Sequence, residues 1–255
     1  MTLIYHACRL RDKTSSFIFK LINPNKEKFT CPVCGYRGPF KDIAPFTGTR
    51  IHAKCPGCNA LERHRLQFLV VNNVFNVINT DNLKMLHFAP EPFFREFFSK
   101  RFGQYETADL SMNDVDHNVD LQQLPFNNET YDLVFASHVL DYIPNDEKAL
   151  SEIRRILKPN GIAILPVPVI AGKTIEYSEP NQNIDYKMRS AGIDYIERYE
   201  HHFSKVERFR SDSFPPKYQL YIYEDRSQWS TKYSLQLSNS DLSKKHMEIV
   251  PVCFV

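Results

Sequence analysis

Two patterns of apolar positions divide the chain. Between Asn59 and Asn79, Leu61, Leu66, Leu69, Val70 and Val74 fall near one stripe of a 3.6-residue period, which predicts a helix. Thr80-Asp81-Asn82 reads as a turn. From Leu83 onward, short apolar runs of strand length alternate with amphipathic stretches. Lys84–Phe88, Tyr105–Asp109, Asn118–Asp120, Tyr131–Ala136 and Ile162–Val167 read as strands, with Lys205–Arg210 and Tyr218–Glu224 as two later ones. Pro92 suits the first position of a helix carrying Phe93, Phe94, Phe97 and Phe98. Asn145 is placed to cap a second helix, with Asp146 and Glu147 in its first turn and Leu150, Ile153 and Leu157 on its apolar face. Lys158-Pro159-Asn160-Gly161 reads as the turn that stops it. Residues 184–202 look like an interrupted helix. Strands alternating with helices predict an α/β fold with a doubly wound, mostly parallel sheet.

The stretch before this pattern has another character. Residues 31–58 are rich in Cys, Gly and Pro, and four of the chain's six cysteines stand there as Cys31-Pro-Val-Cys34 and Cys55-Pro-Gly-Cys58. The boundaries expected are a lead-in over 1–30, a metal ribbon and connecting helix over 31–82, the α/β domain over 83–225 and a tail over 226–255. The tail is Ser/Lys-rich and then apolar from Ile249 to Val255, a run able to pack back on the sheet.

Charge is uneven along the chain. Residues 1–83 hold 12 Lys/Arg against 5 Asp/Glu, a balance of +7, and the remainder hold 20 against 25, a balance of −5. A basic front end is either a solvated surface or a contact for an anionic partner such as RNA. No apolar run reaches 18 residues, so membrane insertion is not expected. The first 20 residues lack the continuous apolar core of a secretory signal. Paired cysteines without such a signal point to metal in a reducing compartment, hence to a cytoplasmic protein.

Two C-x2-C pairs separated by 20 residues can bring four thiolates around one ion. Soft sulfur ligands in a tetrahedron favour zinc, and four of them leave no open position, so the expected ion is structural Zn2+ held by Cys31, Cys34, Cys55 and Cys58. Gly35 and Gly57 relieve crowding in the two turns. Leu61-Glu-Arg-His-Arg65, which follows, is either an anion contact or a helix start whose polar residues brace the ribbon against the main domain.

The chain has only 8 glycines in 255 residues, and none lies between Gly57 and Gly103. That excludes a G-x-G-x-x-G dinucleotide loop and a P-loop. A doubly wound sheet binds its ligand beyond the carboxyl ends of its strands, so the loops there carry the candidates. They are Ala89-Pro90-Glu91 after the first strand, Asp109 ending the second, Asp120-Leu121 after the third and Ser137-His138 after the fourth. A carboxylate at Asp109 can accept hydrogen bonds from a ribose diol, or cap a turn.

Asp120-Leu-Gln-Gln-Leu-Pro-Phe126, Tyr131-Asp-Leu-Val-Phe-Ala-Ser-His-Val-Leu-Asp-Tyr-Ile143 and Ile156-Leu-Lys-Pro-Asn-Gly161 together resemble class I S-adenosylmethionine-dependent methyltransferases. Leu86-His-Phe-Ala-Pro-Glu91 and the two cysteine pairs narrow the resemblance to members with an N-terminal zinc-binding segment. The resemblance implies a Rossmann-like methyltransferase domain in which Ala89, Glu91, Asp109, Asp120, Leu121 and Ser137 surround S-adenosylmethionine. The sequence departs from the family in its first loop, where Ala89 and Pro90 replace the usual glycines and Pro90 brings no amide donor. His138 is the candidate general base, with Asp141 and Tyr142 behind it. The expected acceptor is a small molecule, with a modest preference for a small-molecule or sugar hydroxyl. RNA gripped by the basic ribbon is the alternative, and a binding module that has lost the cofactor is a third reading.

Overall fold

In a computed structural model, residues 15–45, 49–76, 78–225 and 245–255 are described. Residues 1–14 of the lead-in and 226–244 of the tail lie outside them. In chain order the elements begin with α1 (15–22), β1 (Phe29–Thr30), β2 (Arg37–Gly38), β3 (Lys41–Ile43), β4 (Thr49–Lys54) and α2 (Glu62–Phe75). Then come β5 (Lys84–Phe88), α3 (Pro92–Ser99), β6 (Gln104–Asp109), β7 (His117–Asn118), β8 (Tyr131–Ala136), α4 (Asp146–Ile156) and β9 (Leu157–Ile164). The remainder are β10 (Ile175–Asn181), β11 (Lys187–Ser190), α5 (Glu197–Glu200), β12 (Lys205–Arg210), β13 (Ile222–Asp225), β14 (Lys245–His246) and β15 (Ile249–Phe254).

The chain forms two compact units, Val74–Phe209 with Ile249–Val255, and the part up to Asn73 with Arg210–Glu248. The larger unit is built on a seven-stranded sheet in the order β12-β15-β9-β8-β5-β6-β7. Strands β7, β6, β5, β8 and β9 run parallel, and β15 returns antiparallel to β9 through Val252↔Ile164, Cys253↔Ala163 and Phe254↔Ile162. The apolar end of the tail thus packs back on the sheet. The chain runs outward from β5 to β7, then restarts on the other side of β5 with β8. That reversal is the switch point of a doubly wound, Rossmann-like fold.

Alternation along β5 and β8 explains why both faces are covered. Leu86, Phe88, Val134 and Ala136 share a buried cluster with Ala149, Leu150, Ile153 and Ile156 of α4. His87 and Phe135 meet α3, with His87 5.3 Å from the Phe98 ring and Phe135 5.1 and 5.0 Å from those of Phe94 and Phe98. Helix α4 starts where a side chain satisfies its first turn, Lys148 N–H donating to Asn145 Oδ1 at 2.9 Å.

Three local expectations change. Lys158–Gly161 does not stop α4 ahead of a strand but lies inside β9, where the register slips between Tyr131↔Leu157 and Leu133↔Ile162 and Asn160 is left-handed at φ 65°. The turn residues form a bulge rather than a terminus. Residues 184–202 are not one helix: Asp185 and Tyr186 are left-handed at φ 63° and 59°, β11 follows, and only the short α5 is α-helical. Strand β13 does not join the parallel sheet. It pairs antiparallel with β4 through Tyr223↔Ile51 and Glu224↔Arg50, in a four-stranded sheet β14-β13-β4-β3 of the smaller unit.

Candidate functional site

The two cysteine pairs sit in turns of the same design. Cys31 N–H donates to Tyr36 O at 2.8 Å and Gly35 N–H to Cys31 O at 3.0 Å. Cys55 N–H donates to Ala60 O at 3.0 Å and Asn59 N–H to Cys55 O at 2.9 Å. The fifth residue of each turn is left-handed, Gly35 at φ 74° and Asn59 at φ 62°, and these are the residue types that tolerate that conformation. The four sulfurs lie within 4.8 Å of one another, Cys31 3.6 Å from Cys58 and Cys34 3.7 Å from Cys55. A tetrahedron with ~2.3 Å metal–sulfur bonds has edges of about 3.8 Å, so the spacing fits a zinc-sized ion. Gly57 belongs to the fit, because a Cβ there would stand 3.3 Å from Cys34 Sγ. Contact with Cys31 lowers the thiol pKa values of Cys34 and Cys55, while the sulfur contacts push Cys31 and Cys58 up.

Arg65 braces this cluster. Its side chain is fully buried, 4.5 Å from the Phe40 ring. Nη1 donates to Ala53 O and Ala60 O, both at 2.8 Å, so one guanidinium ties the backbone on either side of the second turn. Nε and Nη2 donate to Tyr218 O and Gln219 O. Glu62, equally buried, takes Arg50 at 2.9 Å, and burial raises its pKa against the pull of Arg50 and Arg65. Leu61 N–H donates to His64 Nδ1 at 3.2 Å. Of the two readings of Leu61–Arg65, the helix start is observed, but the carbonyls that take Arg65 (Ala53, Ala60, Tyr218 and Gln219) all belong to its own unit, so Arg65 braces the ribbon within that unit and not against the α/β domain.

The second group of candidates lies along the carboxyl edge of the parallel sheet. Phe88 is level with both Ala108 and Ala136. Ala89, Asp109 and Ser137 therefore leave their strands at one height, about 5 Å apart across neighbouring strands, with Ala89 in the middle. Ala89 is left-handed at φ 45° and its N–H donates to Ala108 O at 2.9 Å. Pro90 has no N–H, so neither residue offers an amide to a ligand, and the loop presents only a small side chain. Glu91 is half-buried and precedes α3 without capping it through its side chain.

Asp109 is half-buried and divides its carboxylate. Oδ1 accepts from Ser111 N–H at 2.8 Å, Met112 N–H at 2.9 Å and Ser111 Oγ at 3.3 Å. None of the described hydrogen bonds uses Oδ2. Asp120 is exposed and accepts from the Gln122 amide N–H at 2.8 Å, whereas Leu121 is buried in the core cluster. Ser137 is buried, and His138 is half-buried and left-handed at φ 56°, its N–H donating to Pro166 O at 2.8 Å. His138 and Ala89 end adjacent strands in a conformation that non-glycine residues adopt at a cost, and such strain clusters at ligand sites. His87 is a core residue, donor or acceptor to Tyr105 Oη at 2.8 Å, and burial lowers its pKa to about 3. His202 pairs with Glu147 at 2.7 Å on the surface.

Arg189 is the residue that the sequence did not single out. It is buried on the carbonyls of Leu140, Ile143 and Pro144 and on the carboxylates of Glu176 and Asp146, all distant in sequence, so nothing local distinguishes it from a surface cation.

Residues 99–165 match the family model described as a methyltransferase domain. Sterol 4-C-methyltransferase strm-1 of Caenorhabditis elegans is 40% identical over 63 residues, 25% of this chain and 18% of that protein. The match therefore spans less than a fifth of that relative's length. Among solved structures, phosphoethanolamine N-methyltransferase 2 of Haemonchus contortus has a TM-score of 0.49 at 19% identity, over 74% of this chain and 52% of that one. An S-adenosylmethionine-dependent methyltransferase from Mesorhizobium loti has a TM-score of 0.46 at 12% identity, over 74% and 97%. No described helix is long and apolar enough to cross a membrane.

Proposed function

From a chain whose residues 99–165 carry a methyltransferase domain, we propose an S-adenosylmethionine-dependent methyltransferase with a structural zinc ribbon. The observation that carries the reading is Asp109. It ends β6, one strand from the switch-point loop at Ala89, and keeps Oδ2 outside the turn that Oδ1 holds.

In this reading Asp109 accepts the ribose hydroxyls, Ala89 and Glu91 border the methionine part, and Asp120 with Leu121 lies on the base side. Ser137 and His138 lie across β5 from Asp109, on the side of the transferred group. The bound cofactor supplies a methyl carbon made electrophilic by a sulfonium. The protein aligns the acceptor with it, which is where most of the rate comes from in such a displacement. His138 takes the proton of a hydroxyl acceptor. A small molecule is the favoured acceptor, since one related sequence is named for a sterol. The +7 balance of residues 1–83 favours RNA as the second reading. Cys31, Cys34, Cys55 and Cys58 hold one Zn2+ that leaves no position for water.

Calorimetry with S-adenosylhomocysteine tests the first claim. Wild type should bind in the micromolar range. Asp109→Asn, which keeps the turn's acceptor, should weaken binding at least tenfold, and Asp109→Ala should abolish it. No heat with wild type overturns the reading in favour of a binding module. Micromolar RNA binding that falls steeply with salt would put RNA first. Metal analysis should return close to one zinc per chain.

A further inference from the structure

The loop that follows β8 has no ladder of its own, and β11 supplies one. Five consecutive residues, Leu140 to Pro144, are each bound from residues 185–189. Arg189 Nη1 donates to Leu140 O and, at 2.8 Å, to Ile143 O. Arg189 Nη2 donates to Pro144 O at 3.2 Å. Met188 N–H donates to Asp141 O at 2.8 Å. Lys187 Nζ lies 2.7 Å from the Asp141 carboxylate, whose side chain is 1% exposed. Tyr142 Oη donates to Asp185 at 2.7 Å, and Lys187 sits 5.4 Å above the Tyr142 ring. The Arg189 guanidinium is itself buried and is balanced by Glu176 at 3.0 Å and Asp146 at 3.4 Å.

Strands β10 and β11 form a two-stranded sheet apart from the main one, with an irregular register between Glu176↔Arg189 and Asn181↔Lys187. An isolated two-stranded hairpin is marginal in water. This one therefore draws order from the loop it holds, and the loop draws order from it. The same loop begins with Ser137 and His138, at the end of β8.

We propose that the β10–β11 hairpin is the acceptor-side cap of the site and that Arg189 is the positioning residue that sets the Ser137–Pro144 loop from it. Binding at the carboxyl edge then tightens the hairpin, because loop and hairpin open as one unit. The tightening rests on the methyltransferase reading; the clamp does not.

Amide hydrogen exchange on the full chain separates the two. Without ligand, Arg189→Lys keeps one charge but loses the fork. It should speed exchange of the 138–145 and 187–190 amides together, at least tenfold, while β5 and β8 are unchanged. Tyr142→Phe removes a single exposed bond and should speed both segments by about two- to threefold. If either variant loosens one segment and leaves the other as in wild type, the clamp is overturned. With saturating S-adenosylhomocysteine, wild type should slow exchange in 187–190 at least fivefold and Arg189→Lys should not, a response that a purely structural arginine would not control. Binding without added hairpin protection overturns the cap. Absence of binding overturns the methyltransferase reading, and the ligand-free comparison still decides the clamp.

Discussion

Gly35 and Ala89 have the same backbone hand and opposite reasons for it. Gly35, at φ 74°, closes a turn whose shape is written locally: two cysteines, a glycine after them, and a hydrogen bond back to Cys31. Ala89, at φ 45°, follows a strand, and its N–H is held by Ala108 O on the neighbouring strand. In the first case the residue chooses the conformation. In the second the sheet imposes it on a residue that would not choose it. Each unit ties a loop with a buried guanidinium, Arg65 in one and Arg189 in the other, but one closes its turns around sulfur and the other ends its loops on paired strands over an aromatic layer. The two should therefore fail under different insults.

The largest effect should come from the sulfur cluster. Structural zinc contributes on the order of 10 kcal/mol to the folding of small domains. Cys55→Ser should bring the zinc content from about one per chain to near zero and remove the melting transition of the unit carrying Cys31–Cys58. The transition of the sheet unit should persist, seen by near-ultraviolet circular dichroism with calorimetry. A single unchanged transition in Cys55→Ser would end the contrast between the two units.

How far each region could be read in advance follows from the same contrast. Lys84–Phe88, Tyr131–Ala136, the Pro92 start of α3 and the Asn145 cap of α4 lie where the sequence placed them, because period, proline geometry and capping are local signals. The cysteine turns were legible for the same reason. Strand β11 falls in the stretch 184–202 that reads as an interrupted helix, because its order comes from carbonyls more than 40 positions away, such as Leu140 O and Ile143 O. Strand β13 was placed in the wrong sheet because a strand's partner is not a property of its own residues. At the candidate site, Asp109 could be placed at a strand end, but not the turn that gathers its hydrogen bonds on Oδ1 alone. Arg189 gave no signal at all, since a buried arginine and a surface one are spelled alike.

Acid is the second insult, and in the sheet unit one buried histidine should set its onset. Burial holds His87 at about 3, beneath α3 between Phe98 and Phe135. An unfolded histidine titrates near 6.5. Between those values the unfolded chain binds a proton that the folded one refuses, so stability is lost as pH falls from 6.5 and stops falling below about 3. The slope is about 1.4 kcal/mol per pH unit, or about 2 kcal/mol between pH 6.5 and 5, above the range of most carboxylates. Denaturant midpoints of the sheet unit should show this loss, and His87→Phe, which keeps a ring among rings, should remove most of it. An unaltered acid slope in His87→Phe would assign the loss to other groups.

The smallest effect is the sharpest test of the comparison itself, because it exchanges the two residues that open it. A Cβ on Gly35 would meet nothing within 4 Å, so Gly35→Ala reports backbone conformation alone. The left-handed backbone costs a non-glycine residue about 1–2 kcal/mol, set against a gain of roughly 0.5–1 kcal/mol from a less free unfolded chain. Gly35→Ala should thus lower the stability of its unit by up to about 1.5 kcal/mol. Ala89→Gly should raise that of the sheet unit by a similar amount, since Ala108 O still holds the loop in place. Ala89→Val, β-branched at positive φ, should lower it by about 2 kcal/mol. Opposite signs for the two exchanges mean that the sheet, and not the residue, sets the loop after β5. If Ala89→Gly instead destabilised by more than 1 kcal/mol, Ala89 would be specifying its own conformation, and the absence of glycine there would be a requirement of the fold rather than a tolerated strain beside the proposed cofactor site.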